Sequence, residues 1–199
     1  MCGKTAGPAP PDREVIAMSS LLSAVVIGAM LHTSAATPVP AEQINEGVSA
    51  FEMQEYDKAI ALIKPLAEQG DPEAQYFMGT FYWYGSGVTR SSPIAQKWFS
   101  KAYATWLAAA EQGDTSAMVE VSRMLNSGLG VKRDVDAALE WVRKALENGE
   151  VEAHAVLGDM YMEGDSVEKD KEEAMKLYNK AADLGDPYGV AMQARYREQ

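Results

Sequence analysis

A repeat constrains this chain more than any other feature. Gly70-Asp71, Gly113-Asp114 and Gly185-Asp186 are three copies of one step, and Gly149-Glu150 stands in the same place. Asp114 to Glu150 is 36 residues, Glu150 to Asp186 is 36 again, and Asp71 to Asp114 is 43, one period plus seven. The content of each period recurs at fixed offsets from the mark. A small residue follows at plus three (Ala74, Ala117, Ala153, Gly189), and a glycine at plus fourteen (Gly85, Gly128, Gly164). A valine comes at plus seventeen (Val88, Val131, Val167), and an alanine at plus twenty-four (Ala95, Ala138, Ala174). A fixed period of this length means stacked supersecondary units rather than one closed core.

Each period reads as two helices. An acidic residue at the mark suits an N-cap, and Pro72 and Pro187 occupy the favoured first helical position. Apolar residues then fall at helical spacing until the glycine stops the helix. The loop Gly85-Ser-Gly-Val88 returns as Gly128-Leu-Gly-Val131, its valine placed to plug the space between paired helices. Ser91, Asp134 and Asp170 lie near the start of a second helix that carries an Ala/Trp face. One such hairpin cannot bury both apolar faces, so copies must stack.

The motifs Glu73-Ala-Gln-Tyr-Phe-Met-Gly79, Tyr82-x-x-Gly-x-Gly-Val88, Ala138-x-x-Trp141 and Ala181-Ala-x-x-Gly-Asp186 resemble Sel1-like repeats, relatives of tetratricopeptide repeats. The resemblance covers residues 45–199. It implies an all-α, right-handed αα-hairpin solenoid whose first helices line the concave side. It also implies adaptor, scaffold or regulatory work rather than catalysis. The expected order is a tetratricopeptide-like hairpin at 45–70, repeats at 71–113, 114–149 and 150–185, and a capping helix at 186–199. Three departures stand out. The first hairpin lacks the Gly-x-Gly-Val loop, and Pro65 is expected to kink or restart its second helix. The seven extra residues equal about two helical turns, so they lengthen a second helix in register and make it protrude. Ser166 replaces the second loop glycine of the third copy.

Ahead of the repeats, residues 15–41 carry no Asp, Glu, Lys or Arg, and Leu21 to Leu31 is an apolar run of signal-peptide length. Small residues follow, and Ala35 and Ala36 both suit the position before a cut. Residues 1–36 are therefore expected to be a cleaved signal peptide, with Met18 as an alternative start and 37–44 as a linker. An uncleaved inner-membrane anchor is the competing reading. The expected destination is the bacterial periplasm or the medium. Cleavage removes Cys2, the sole cysteine, so no disulfide framework is available.

Charge and composition narrow the partner. Lys+Arg 18 against Asp+Glu 29 gives a net charge of −11, a field that repels phosphate backbones and excludes nucleic acid while favouring a basic protein or peptide. Ten of the seventeen aromatic residues lie between Tyr76 and Trp106. Many belong to repeat core positions, but helical phase singles out some others. With Gly79 taken as the close-packing glycine, positions three before, one after and four after are expected to face the groove. They are Tyr76, Thr80 and Trp83 in the first copy, and Val119, Arg123 and Asn126 in the second. The third copy supplies Asp159 and Met162 with Ala155, and the cap Tyr188 and Arg195. Tyr, Trp, Arg, Asn and Met on one face suit a protein contact surface. Tyr103 and Trp106, on the lengthened helix, form a second candidate contact or pack on the neighbouring repeat. No nucleophile set, phosphate-binding loop or metal-ligand spacing assembles, so no enzyme activity, cofactor or metal is expected. The acidic stretch Glu163–Glu173 lacks the spacing of a calcium loop and reads as a loop plus a solvated helix start.

Overall fold

A computed structural model describes residues 41–197; the segment 1–36 expected to be a signal peptide and the start of the expected linker lie outside the described residues. The described chain is helical throughout: α1 (Ala41–Glu52), α2 (Tyr56–Gln69), α3 (Pro72–Tyr84), α4 (Ser92–Glu111), α5 (Thr115–Ser127), α6 (Val135–Glu147), α7 (Glu152–Glu163), α8 (Lys171–Asp183) and α9 (Pro187–Arg197). No helix among them is long and apolar enough to cross a membrane. Each helix packs on the next, and the first helices of successive hairpins also touch, α5 on α7 and α7 on α9. The result is a row of αα-hairpins, the solenoid expected from the period. Helix α1 begins at Ala41, inside the stretch read as linker.

The marks behave as caps with one exception. Asp71, Asp114 and Asp186 accept from the backbone N–H of Ala74, Ala117 and Gly189, and Asp134 and Asp170 cap α6 and α8 in the same way. Each such cap contributes about 1 kcal/mol. Glu150, one methylene longer, does not cap. Its carboxylate instead accepts from the hydroxyl of Thr115 at 2.7 Å, tying the third repeat to the second.

Close approach explains the small residues. Gly79 lies so near Phe99 that a Cβ there would come within 2.4 Å of the ring. Gly158 meets Tyr178 in the same way, and the buried Ser122 between them donates to the Ala138 carbonyl. The Gly-x-Gly loops pack backwards. Gly130, at φ 71°, sits 2.3 Å, measured from an added Cβ, from the backbone of Phe99 and Ser100 on α4. Ser166 is not at positive φ, so the third loop takes another course, and its hydroxyl is buried without a hydrogen-bond partner.

Two expectations about helix continuity come out differently. Helix α2 passes through Pro65 without restarting; the proline is exposed, while Ile63, Leu66 and Ala67 are buried on either side of it. Removing one backbone bond from the solvent side leaves that packing to carry the helix. Helix α4 has 20 residues against 13 in α6 and α8, so the seven-residue insertion is indeed helical. Its apolar face stays in register: Ala95, Phe99, Ala102, Trp106 and Ala110 are all buried. Three clusters of buried side chains run along the row, and Tyr76 and Tyr82 pack against both of the first two, so the core is continuous there.

Candidate functional site

Between α3, α5 and α7 lies a cavity of about 190 Å³, with Trp106 of the lengthened α4 in its wall. Its apolar lining comes from Tyr76, Trp106, Met124, Leu129, Val156 and Met160, and its polar lining from Glu73, Glu120, Arg123, Asn126, Ser127, Asp159 and Glu163. Tyr76 is packed against Phe99 and Trp106, ring centroids 5.3 and 6.0 Å apart. Trp106, read from the sequence as part of a separate contact with Tyr103 and brought in by the extra two turns, thus closes over Tyr76.

The charges form a network about one cation. Arg123 binds Glu120 on its own helix at 2.9 Å and Glu152 on α7 at 2.7 Å. Burial opposes the guanidinium charge, but Glu152 and Glu120 together outweigh it and hold the pKa of Arg123 above its ordinary value. Asp159 accepts from the hydroxyls of Tyr178 at 2.7 Å and Tyr188 at 3.1 Å; burial still dominates and raises its pKa to about 6. Asn126 donates to Glu163 at 3.0 Å on the rim. Glu73 is different. Burial, reinforced by Asp71 and Glu120, pushes its pKa up to about 8, and its buried Oε1 has no hydrogen-bond partner.

Of the residues expected in the groove, Tyr76, Arg123, Asn126 and Asp159 line this cavity, joined by Trp106 from the second candidate contact. The others do not. Val119 and Ala155 are fully buried and Thr80 is 2% exposed, its hydroxyl donating to the Tyr76 carbonyl, so these three offer no surface to a partner. Trp83 is half-buried against Phe99, and Tyr103 packs on the same cluster, both away from the cavity wall. Met162 packs on the C-terminal cluster; Tyr188 is buried and reaches the site only through its bond to Asp159. Arg195 is exposed, with its guanidinium over the Tyr196 ring.

The misplacement has a geometric cause. At about 100° per residue, the chosen positions centre roughly 70° from the packing glycine. The cavity is lined by positions two before, one after, two after and five after it, with Tyr76 at three before and Asn126 at four after on one edge, and together these centre about 120° away. A first helix turns its small residue to its own hairpin mate, so its open face lies on the far side, and the flank between packs on adjacent repeats. Glu120 and Glu163, acids on the first helices of the second and third repeats, were the available signal.

Sel1 repeats match residues 72–104, 115–150 and 151–186. Among solved structures, the chain is similar to a Sel1 repeat protein from Oxalobacter formigenes at 28% identity and a TM-score of 0.45, over 78% of this chain and 61% of that one. It is also similar to a protective antigen of uropathogenic Escherichia coli strains displaying an SLR fold, at 27% identity and a TM-score of 0.44, over 89% of this chain and 40% of that one. The chain therefore spans less than two thirds of either protein. No curated protein is a significant match. Sel1 repeats typically mediate protein–protein interactions and generally serve as non-enzymatic scaffolds. With three consecutive matches over more than half its length, this chain belongs to the Sel1 repeat family.

Proposed function

We propose that this chain is an exported, non-enzymatic adaptor or regulator of the bacterial envelope, and that it holds a segment of a partner protein against the face formed by α3, α5 and α7. The observation that carries this reading is the cavity itself, an aromatic and methionine-lined recess rimmed by carboxylates on the open face of three successive first helices. Aromatic anchors within a polar rim are the usual composition of a binding hot spot. The net charge of −11 favours a basic segment and speeds its approach at low salt, since screening acts over about 10 Å at 0.1 M. Export rests on the uncharged stretch 15–41.

The test is affinity capture from an envelope fraction with three baits. Asn126→Lys/Glu163→Lys places positive charge on the cavity rim and leaves the core untouched. Asp136→Lys/Glu147→Gln makes the same charge change on exposed positions of α6. Partners held by the unaltered chain and the α6 variant but lost by the rim variant are the expected result; identical capture by all three removes the groove from the interaction. N-terminal sequencing of the fractionated protein is expected to find the chain beginning just after Ala35 or Ala36. A full-length chain that stays with membranes replaces export by anchoring.

A further inference from the structure

Glu73 and Glu152 occupy the same place in their repeats, two residues after the marks Asp71 and Glu150 and on the first turn of α3 and α7. Glu152 holds the guanidinium of Arg123 at 2.7 Å. Glu73 has no such partner. Its Oε1 is buried without a hydrogen bond, its charged neighbours Asp71 and Glu120 are both acidic, and Arg123 is engaged by Glu120 and Glu152. The carboxyl faces the cavity whose walls include Tyr76 and Trp106.

Glu152 shows what pairs such a carboxyl elsewhere in this chain, a guanidinium. We propose that the cavity receives an arginine side chain of the partner segment, its guanidinium paired with Glu73 and its stem against Tyr76 and Trp106. This rests on the interaction face proposed above and names what that face reads. Size agrees: 190 Å³ is about six water volumes and lies below the roughly 300 Å³ at which pockets for whole small molecules begin. Among the described residues no three acidic, histidine or cysteine side chains converge on a metal position, which points to a broad organic cation. A planar guanidinium meets a carboxylate with two parallel bonds and stacks on aromatic faces, which an ammonium does not do.

Binding is linked to a proton. Burial, reinforced by Asp71 on its own cap and Glu120 on α5, favours the neutral form of Glu73, whose pKa lies near 8, and Asp159 and Glu163 of α7 line the same cavity. Arg123 already serves two carboxylates. An incoming guanidinium stabilises the ionised form, so the proton leaves and affinity rises with pH.

Met124 and Met160 line the cavity, and their methyl groups report on it directly; Met53, 71% exposed on the first hairpin, is the internal control. The probes are N-acetyl-arginine amide, its neutral citrulline counterpart of nearly the same shape, and N-acetyl-lysine amide, titrated against the protein with carbon-13-labelled methionine methyls. The arginine probe is expected to shift Met124 and Met160 saturably and leave Met53 in place. Citrulline, and arginine with the Glu73→Gln variant, are expected to bind at least about tenfold more weakly, with lysine in between. Affinity for arginine is expected to rise about tenfold or more from about pH 6 to about pH 9. The probe-free methyl spectrum of Glu73→Gln establishes that it is folded. Absence of a saturable shift, an equal response to citrulline, or unchanged binding by Glu73→Gln overturns the assignment. Silent methyls alongside partner loss by Asn126→Lys/Glu163→Lys overturn the arginine slot and leave the interaction face standing. Shifted methyls alongside indifferent capture uphold the slot and remove the face.

Discussion

The junction of repeats two and three and the junction of repeats one and two are built from the same helices in the same order, yet they treat buried charge in opposite ways. At the former, Arg123 bridges Glu120 and Glu152, and Asp159 is held by two tyrosine hydroxyls. At the latter, Ser116 stands where Glu152 does, and Glu73 of the first repeat faces the same cavity as Tyr76 and Trp106 with no cation paired to it. One junction is completed by the chain's own residues and the other is left incomplete. The lesson is that a repeat array can pair its charges at one junction and leave a carboxyl without an ion-pair partner at the next.

The contrast breaks hardest at Arg123. Arg123→Met leaves two buried carboxylates facing each other, and chemical denaturation near neutral pH is expected to show a loss of about 3–5 kcal/mol. The opposite sign is expected at the incomplete junction. The pKa of Glu73 is raised from 4.5 to about 8 on folding, so the folded chain keeps a proton that the unfolded chain has released, and this group's contribution to stability falls as pH rises through that window. Glu73→Gln is therefore expected to match the unaltered chain near pH 4 and to exceed it by about 5 kcal/mol above pH 8, read from paired denaturation curves. Curves that stay parallel across the window would show Glu73 already ionised and satisfied.

Smaller changes sharpen the picture. Gly130→Ser copies the third loop into the second, where a Cβ would meet the backbone of Phe99 and Ser100 at positive φ; about 2 kcal/mol of destabilisation is expected in thermal melts. Tyr188→Phe removes one of the two donors to Asp159 and is expected to cost about 1 kcal/mol above pH 6, with a smaller cost below, where Asp159 takes up a proton.

The period, the hairpins, the caps at Asp71, Asp114 and Asp186 and the close-packing Gly79 were all legible in the chain, because each follows from local rules about capping, glycine and spacing. The cavity was legible only in part. Tyr76, Arg123, Asn126, Asp159 and Trp106 were identified, but Val119 and Thr80 were assigned to the same face, because an amphipathic stripe does not reveal which of its edges the next repeat covers. Glu73 escaped notice for a different reason. An acid in the first turn of a helix is ordinarily explained by the helix dipole, and only the neighbouring helices reveal that this one is buried among other acids.

Seven residues turn a helix through two revolutions less about 20°, so an insertion of that length returns the same face to the core, whereas an insertion of five would rotate the apolar stripe by roughly 140°. The extra turns of α4 therefore behave as a quantised spacer: they add a tryptophan to one recess and leave the rest of the array in phase. The corresponding place in α6 and α8 is open to the same graft, which makes the number and position of such recesses along the array a property that can be set one heptad at a time.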